Sequence, residues 1–195
     1  MKSSPLRLIM SVAITCIVAA AGLAVTYSIT APRIAEQEKA AERAALKEVI
    51  PEAASFEAAG PEMLAEAQDA AGESTVSGVY AATDQSGALI GWGFKVASRG
   101  YGGPISMVLG LDRNGKVLGL TIVSMNETPG LGTRVKSDPT FLPQFMSLPD
   151  GYTDADVKKL DTISGATKSS RGVRNSVAAA GRIYEQVLAG KEGVR

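Results

Sequence analysis

Residues 105–124 read ISMVLGLDRNGKVLGLTIVS, and this stretch predicts two antiparallel strands joined by a tight turn. The runs at 105–111 and 116–124 are apolar and contain β-branched residues, which is typical of strands. Between them, D-R-N-G at 112–115 is a turn signal, because Asp and Asn side chains bond to nearby backbone and Gly accepts a positive φ. The stretch therefore predicts an antiparallel sheet.

The segments on either side of this hairpin extend the prediction. Residues 76–83 and 88–97 predict two more strands, and two-residue alternation places Trp92 and Phe94 on one face of the second. Downstream, 140–146 and 153–160 predict short helices, and 169–189 predicts a longer one. Its apolar side consists of Val173, Val177, Ala180, Tyr184, Val187 and Leu188. The predicted fold class is α+β, an antiparallel sheet with flanking helices.

The N-terminal part predicts a membrane anchor. Residues 8–32 are 25 positions without a charge, and about 20 apolar residues suffice to cross a bilayer as a helix. A cleaved signal peptide is the alternative, since 19–21 are three alanines, but the apolar stretch is long for one. Basic residues lie on both sides of the span, so charge alone leaves the topology open. We expect residues 1–7 to be cytoplasmic.

The region after the span predicts a stalk and a connection. Residues 33–50 are rich in the helix formers Ala, Glu, Lys and Arg, and Pro51 is expected to end that helix. Residues 52–77 predict a mobile connection with one short helix at 62–70. The predicted layout is therefore a stalk and linker at 33–75 and a folded domain at 76–195.

Composition excludes several classes of function. The 195-residue chain has 20 basic and 20 acidic residues, so it has no electrostatic footprint for nucleic acid. It has no histidine, which removes the usual general base and the commonest metal ligand. The single cysteine, Cys16, excludes an internal disulfide and a Cys-ligated iron–sulfur cluster. We expect no catalytic residue and no metal, so any redox chemistry needs an organic cofactor.

Three short motifs carry the candidate chemistry. G-Y-G-G-P-I at 100–105 has glycines that allow close backbone approach to a flat ligand or a positive φ. N-E-T-P-G-L-G at 126–132 presents Leu131 between two glycines, where it could cover an aromatic ring. D-x-x-S-G-A-T-x-S-S at 161–170 places Thr167 at a helix start, where unpaired N–H groups favour a phosphate. Taken singly, each motif is also what an ordinary turn or helix cap looks like.

The order of these motifs, behind an N-terminal anchor, resembles the G-type subunit of the Rnf-type electron transport complex. The C-type subunit of the sodium-translocating NADH:quinone reductase shares S-G-A-T and the anchor but is typically longer. The resemblance implies that a separate flavin transferase attaches FMN covalently, as a phosphoester, to Thr167. It also implies that Asp161 and Ser164 position the loop for the transferase, and that Gly165 and Ala166 keep the approach open.

A thin pocket would leave the edge of the flavin exposed for electron exchange. Tyr101, Leu131 and Trp92 are expected to supply apolar contact. The second motif is expected to contribute Glu127, Thr128, Pro129 and Gly130. Ser169 stands where the family commonly has Thr, and Lys168 is less apolar than the usual residue.

The implied function is a single-span flavoprotein that relays electrons through FMN in a redox-driven ion pump linked to ferredoxin and NAD. It would lie in the plasma or inner membrane of a bacterium or archaeon, with its C-terminal domain on the extracytoplasmic, periplasmic side. Its partners would be the other proteins of that complex, and it would have no complete active site of its own. The alternatives are a component like the C-type subunit of the quinone reductase, or a non-redox assembly protein in which Thr167 only caps its helix.

Overall fold

The structure is a computed structural model that describes residues 5–191 and 193 and divides into two compact units, Met1–Ala41 and Glu42–Arg195. Residues 1–4 of the predicted cytoplasmic segment and residues 192, 194 and 195 lie outside the described residues. Helix α1 (Pro5–Val49) begins in the first unit and ends in the second.

From Pro5 onward the first unit is helical, and its large apolar side chains between Ile9 and Ile34 are exposed. The hydroxyls of Thr15, Thr26 and Thr30 each donate to the carbonyl oxygen four residues earlier at 2.9 Å. Such internal bonds satisfy polar groups that a lipid environment would leave unpaired. Within the described chain, α1 is the one helix long and apolar enough to cross a membrane.

The second unit contains a five-stranded sheet in the order β1 to β5, with every neighbouring pair antiparallel. The strands are β1 (Ser55–Ala58), β2 (Thr75–Thr83), β3 (Leu89–Arg99), β4 (Pro104–Asp112) and β5 (Val117–Met125). The predicted hairpin is confirmed as β4 and β5. In its turn, Asp112 Oδ1 accepts the N–H groups of Asn114 and Lys116 at 2.7 and 2.9 Å, and Gly115 has a φ of 78°.

The helices of this unit lie mainly after the sheet in the chain. They are α2 (Pro61–Ala71), α3 (Arg134–Ser137), a 3-10 helix (Pro143–Ser147), α4 (Asp154–Lys159), α5 (Thr167–Ile183) and a π-helical turn (Tyr184–Leu188). The predicted apolar side of α5 is confirmed, since Val173 and Val177 are fully buried. The helix predicted at 140–146 is a 3-10 helix displaced to 143–147, and α3 was not predicted. The fold is α+β, as the pattern indicated.

The short helix predicted at 62–70 is confirmed as α2, but the expectation that the rest of 52–77 is a mobile connection is wrong. This segment forms β1 and α2, and Met63, Ala67 and Ala71 of α2 are buried in the same core as Trp92. The alanine-rich composition resembles a linker, but alanine also lets a helix pack closely against a sheet. The compact unit therefore begins at Glu42, well before the predicted start at 76.

Helices cover both faces of the sheet. One face packs against α2 and α5, and the other packs against the end of α1 through Leu46, Val49 and Ile50. The second contact uses a row of glycines that pair in register across three strands: Gly93, Gly110 and Gly119. A Cβ at Gly93 would lie 2.5 Å from Leu46 Cδ2, and one at Gly110 would lie 2.6 Å from Ile50 Cγ1. The missing side chains therefore make the groove in which α1 ends.

A polar cluster adds to this contact within the second unit. Glu42 accepts a hydrogen bond from the Tyr80 hydroxyl and forms an ion pair with Lys95 at 2.5 Å. Burial, together with the hydrogen bond and the charge of Glu42, raises the pKa of Tyr80 above its ordinary value. The last turns of α1 are thus attached to the sheet by both packing and charge.

Candidate functional site

The three motifs meet at one open cleft of 360 Å³. The cleft is lined by Tyr101, Glu127, Thr128, Leu131, Gly132, Gly165, Ala166, Thr167, Lys168 and Ser169. They come from the turn before β4, the loop after β5 and the start of α5. Its volume lies within the range of small-molecule sites.

A buried carboxylate joins the three motifs. Glu127 is 7% exposed. Its Oε1 accepts the backbone N–H groups of Tyr101 and Gly102 at 2.9 and 3.1 Å. Its Oε2 accepts the hydroxyl of Ser169 in α5 at 2.7 Å. One side chain therefore holds together segments that are far apart in the sequence.

The glycines of the first two motifs make room for this carboxylate. A Cβ at Gly100 or Gly132 would collide with the carboxylate oxygens of Glu127, and one at Gly102 would collide with the carbonyl oxygen of Asn126. The sequence left open whether the glycines at 100–103 bring the backbone close to a flat ligand or adopt a positive φ, and none of the three has a positive φ. The structure instead uses Gly100 and Gly102 for close packing between loops.

Thr167 is the first residue of α5, and Ala166 is the N-cap. Gly165 precedes the cap with a φ of 81°. The side chain of Thr167 is exposed, and the start of α5 has no side-chain capping hydrogen bond. The interpretation of Thr167 as a simple helix cap is therefore wrong, because the cap position belongs to Ala166. The N–H groups of the first turn have no intrahelical acceptor, as at any helix start.

Two exposed side chains form the walls of the cleft. Tyr101 is 66% exposed and Leu131 is 45% exposed, and both line the cleft. The Nζ of Lys168 stands 5.5 Å from the centroid of the Tyr101 ring, within cation–π range. Trp92 is only 1% exposed and belongs to the core, so the expectation that it contacts a flavin is wrong.

Four predicted residues surround the cleft without lining it. The backbone of Asp161 pairs with the side-chain amide of Gln144 at 2.8 and 3.2 Å. The carbonyl oxygen of Ser164 accepts a bond from Arg134 Nη1 at 3.3 Å. Pro129 and Gly130 are exposed in the loop after β5. The bonds of Asp161 and Ser164 hold the third motif against α3 and the 3-10 helix.

Gly132 and Ser169 line the cleft although the sequence reasoning assigned neither a contact. The signal was present, because both belong to the quoted motifs. Gly132 ends N-E-T-P-G-L-G, and Ser169 is two residues after Thr167. What the motifs do not reveal is that both residues contact Glu127.

A larger cleft of 490 Å³ lies between α4, α5 and the end of α2. It contains no residue of the three motifs. Arg182 in its wall binds Asp154 at 2.7 Å and the carbonyl oxygens of Ala70 and Ala71 at 3.0 and 2.7 Å. This cation therefore serves to hold three helices together, and the smaller cleft remains the candidate site.

Models of known protein families match two regions of the chain. The RnfG N-terminal region family matches residues 10–49, and the FMN-binding domain family matches residues 100–181, which include all the cleft residues. The G-type subunit of the ion-translocating oxidoreductase complex of Methanosarcina acetivorans is 32% identical over 89% of this chain and 91% of its own length. The chain belongs to the RnfG family.

Other RnfG-family proteins are similar over most of their length. The protein from Vibrio vulnificus is 32% identical over 85% of this chain and 84% of its own. That of Acetobacterium woodii, from a Na(+)-translocating ferredoxin:NAD(+) oxidoreductase complex, is 29% identical over 87% of this chain and 86% of its own. The crystal structure of Shewanella oneidensis NqrC superposes with a TM-score of 0.45 at 22% identity, over 57% of this chain and 58% of that one.

The cleft of this RnfG-family protein fits FMN by size and chemistry. Tyr101 and Leu131 offer apolar surface to a planar ring, and the N-terminus of a 17-residue helix offers N–H groups to a phosphate. The first turn of α5 contains no acidic residue that would oppose the phosphate. The residues present therefore suit both ends of the cofactor.

Proposed function

We propose that this protein relays electrons through an FMN bound as a phosphoester to the hydroxyl of Thr167, within a membrane-bound ion-translocating oxidoreductase. The FMN supplies one- and two-electron chemistry, and the chain supplies the attachment, the walls and the exclusion of water from one ring face. The partners are the other proteins of the complex and a flavin transferase that makes the ester. The relatives' names support a redox link between ferredoxin and NAD.

The observation that carries this proposal is the position of Thr167. Its side chain is exposed, makes no capping bond and lies at the positive end of a long helix. An enzyme can reach such a hydroxyl, and the product phosphate would lie against unpaired N–H groups. A buried hydroxyl would be out of an enzyme's reach, and a capping hydroxyl would already be bonded to an N–H group of the first turn.

The charges around Thr167 support an anion at this position. Lys168, which lines the cleft beside Thr167, lies in the first turn of α5, where the helix dipole disfavours cations. α5 contains four basic residues and no acidic one. A phosphodiester on Thr167 would supply the negative charge that this end of the helix lacks.

The open shape of the cleft supports a role in passing electrons to neighbouring redox groups and not in enclosing the flavin. Tyr101 and Leu131 cover parts of a shallow site, so one edge of a bound ring would stay accessible to neighbouring redox groups. A shallow site binds weakly by itself, and a covalent ester keeps the flavin in place without tight binding. The proposed roles of Asp161, Ser164 and Gly165 are to present Thr167 to the transferase.

For the membrane, we propose that residues 8–32 cross the bilayer once, with the N-terminus in the cytoplasm and the folded unit outside. The support is the uncharged stretch within α1 and its internally bonded hydroxyls. A phosphatase fusion and a fluorescent-protein fusion at the C-terminus test this topology. Activity of the phosphatase alone is expected, and fluorescence alone would reverse the orientation.

Peptide mapping of the protein from its own host tests the cofactor, the bond and the residue together. The expected result is a peptide containing Thr167 that is heavier by one FMN less one water, and a fluorescent band on a denaturing gel. An unmodified, colourless protein made alongside an active transferase would refute the proposal. It would favour the non-redox assembly protein instead.

A further inference from the structure

We propose that Glu127 is the positioning residue that sets Thr167 against the wall of the cleft, and that it does not act as a flavin ligand. This inference rests on the proposed attachment of FMN at Thr167. It assigns a task to a buried carboxylate that the electron relay itself does not use.

The surroundings of Glu127 favour this task. Among the described residues, no basic side chain lies within ion-pair distance of its carboxylate. A buried carboxylate without a counter-ion is unfavourable unless hydrogen bonds compensate. Both oxygens accept protein donors, two from the turn at Tyr101 and Gly102 and one from Ser169. Three hydrogen bonds from two separate segments hold this one buried side chain, so this centre is rigid.

These bonds act on the site through two routes. The bonds to the N–H groups of Tyr101 and Gly102 fix the backbone that carries the Tyr101 ring. The bond to Ser169 fixes the first turn of α5, two residues after Thr167. Glu127 therefore sets the spacing between the ring that forms a wall and the hydroxyl that forms the attachment point.

On the side of the Glu127 carboxylate that faces away from the cleft, neighbouring backbone leaves no free space. Gly100 and Gly132 both lie so close that an added Cβ would collide with it, and the side chain belongs to the lining of the cleft. A glutamine has the same shape and can keep all three bonds, because its amide can donate to the Ser169 oxygen. The charge of Glu127 is therefore dispensable in this scheme, and its hydrogen-bonding geometry is not.

The test uses the full chain produced with its flavin transferase. The variants are Glu127→Ala, Glu127→Gln, Ser169→Ala and Ser169→Thr, with Val177→Ala as a matched control. Val177 is fully buried in α5 and does not line the cleft, so its truncation destabilises the unit without touching the loops. The readouts are the rate at which the fluorescent band appears after the transferase is induced, and the visible circular dichroism of the attached flavin.

We expect Glu127→Ala to slow flavin attachment at least about tenfold, because a small misplacement of a reacting group has effects of this size or larger. Its circular dichroism should weaken towards that of free FMN. Ser169→Ala should shift both readouts in the same direction by less. Glu127→Gln and Ser169→Thr should stay close to the wild type, and Val177→Ala should lower only the unfolding temperature.

Two results would overturn the inference. One is a Glu127→Ala protein that acquires flavin as fast as Val177→Ala and has unchanged dichroism. The other is a Glu127→Gln protein as slow as Glu127→Ala, which would show that the charge matters. If Glu127→Ala does not fold, the inference is tested by the difference in the rate of flavin attachment between Ser169→Ala and Ser169→Thr. A wild type that acquires no flavin would refute the proposed function instead, and the two failures are therefore distinct.

Discussion

Replacement of Thr167 by alanine should remove the flavin without weakening the fold. A threonine that caps a helix contributes about 1 kcal/mol, which its replacement by alanine would lose. In this protein Ala166 is the N-cap, and Thr167 is an exposed first helical residue without a capping bond. The remaining effect is helix propensity, which favours alanine over threonine by roughly 0.5 kcal/mol or less. The free energy of unfolding should therefore stay equal or rise slightly.

Urea denaturation of the full chain in detergent measures the stability, and in-gel fluorescence measures the flavin. Thr162→Ala is the matched control, because Thr162 is an exposed threonine of the same motif at one of its unspecified positions. It should keep both the band and the stability. A loss of about 1 kcal/mol or more in Thr167→Ala would return the capping role to Thr167. A band that persists in Thr167→Ala would place the ester elsewhere.

Three further predictions concern the stability of the folded unit. Gly132→Ala should cost about 1–3 kcal/mol in urea denaturation, because its Cβ would collide with the Glu127 carboxylate. The hydrogen bond from Lys159 is the main cause that lowers the pKa of Asp156 to about 2. Asp156 therefore contributes stability above pH 3.8, its ordinary pKa, that is lost as the pH falls through about 2, and Asp156→Asn should flatten this part of the stability curve. Burial raises the pKa of Tyr152 above its ordinary value of 10.0, so stability should fall as the pH rises above 10, and Tyr152→Phe should reduce that fall in thermal unfolding.

Each of these three stability predictions can be checked against a control variant or a result that would contradict it. Gly103→Ala should be mild, since a Cβ there would lie 3.8 Å from Asn126 Cβ. If it costs as much as Gly132→Ala, the packing explanation is wrong. An acid-stability curve that Asp156→Asn leaves unchanged would remove Asp156 as its cause. An alkaline fall in stability that Tyr152→Phe leaves unchanged would contradict the burial argument.

The strands and their hairpin were predictable because their signals are local. The turn at 112–115 needs only the bonds of Asp112 to nearby N–H groups and a positive φ at Gly115, both within four residues. The alternation that buries Trp92 and Phe94 is likewise a property of one strand. The same locality allowed the helix at 62–70 to be predicted but made the rest of 52–77 look like a mobile linker, because alanines indicate a linker until a sheet is present for them to pack against.

The order of residues along the chain was enough to indicate an uncharged N-terminal stretch, a sheet-forming pattern without histidine, and a threonine at the start of a helix. Folding was needed to bring the three motifs to one carboxylate, to make the glycines at 100 and 132 its neighbours, and to give the cap of α5 to Ala166 and not to Thr167. The physical reason is the separation along the chain between the residues that interact. Turns, strands and helix starts follow from contacts between neighbours in the chain, whereas the bonds of Glu127 join residues 25 to 42 positions apart. Such bonds exist only after the sheet and α5 have packed together.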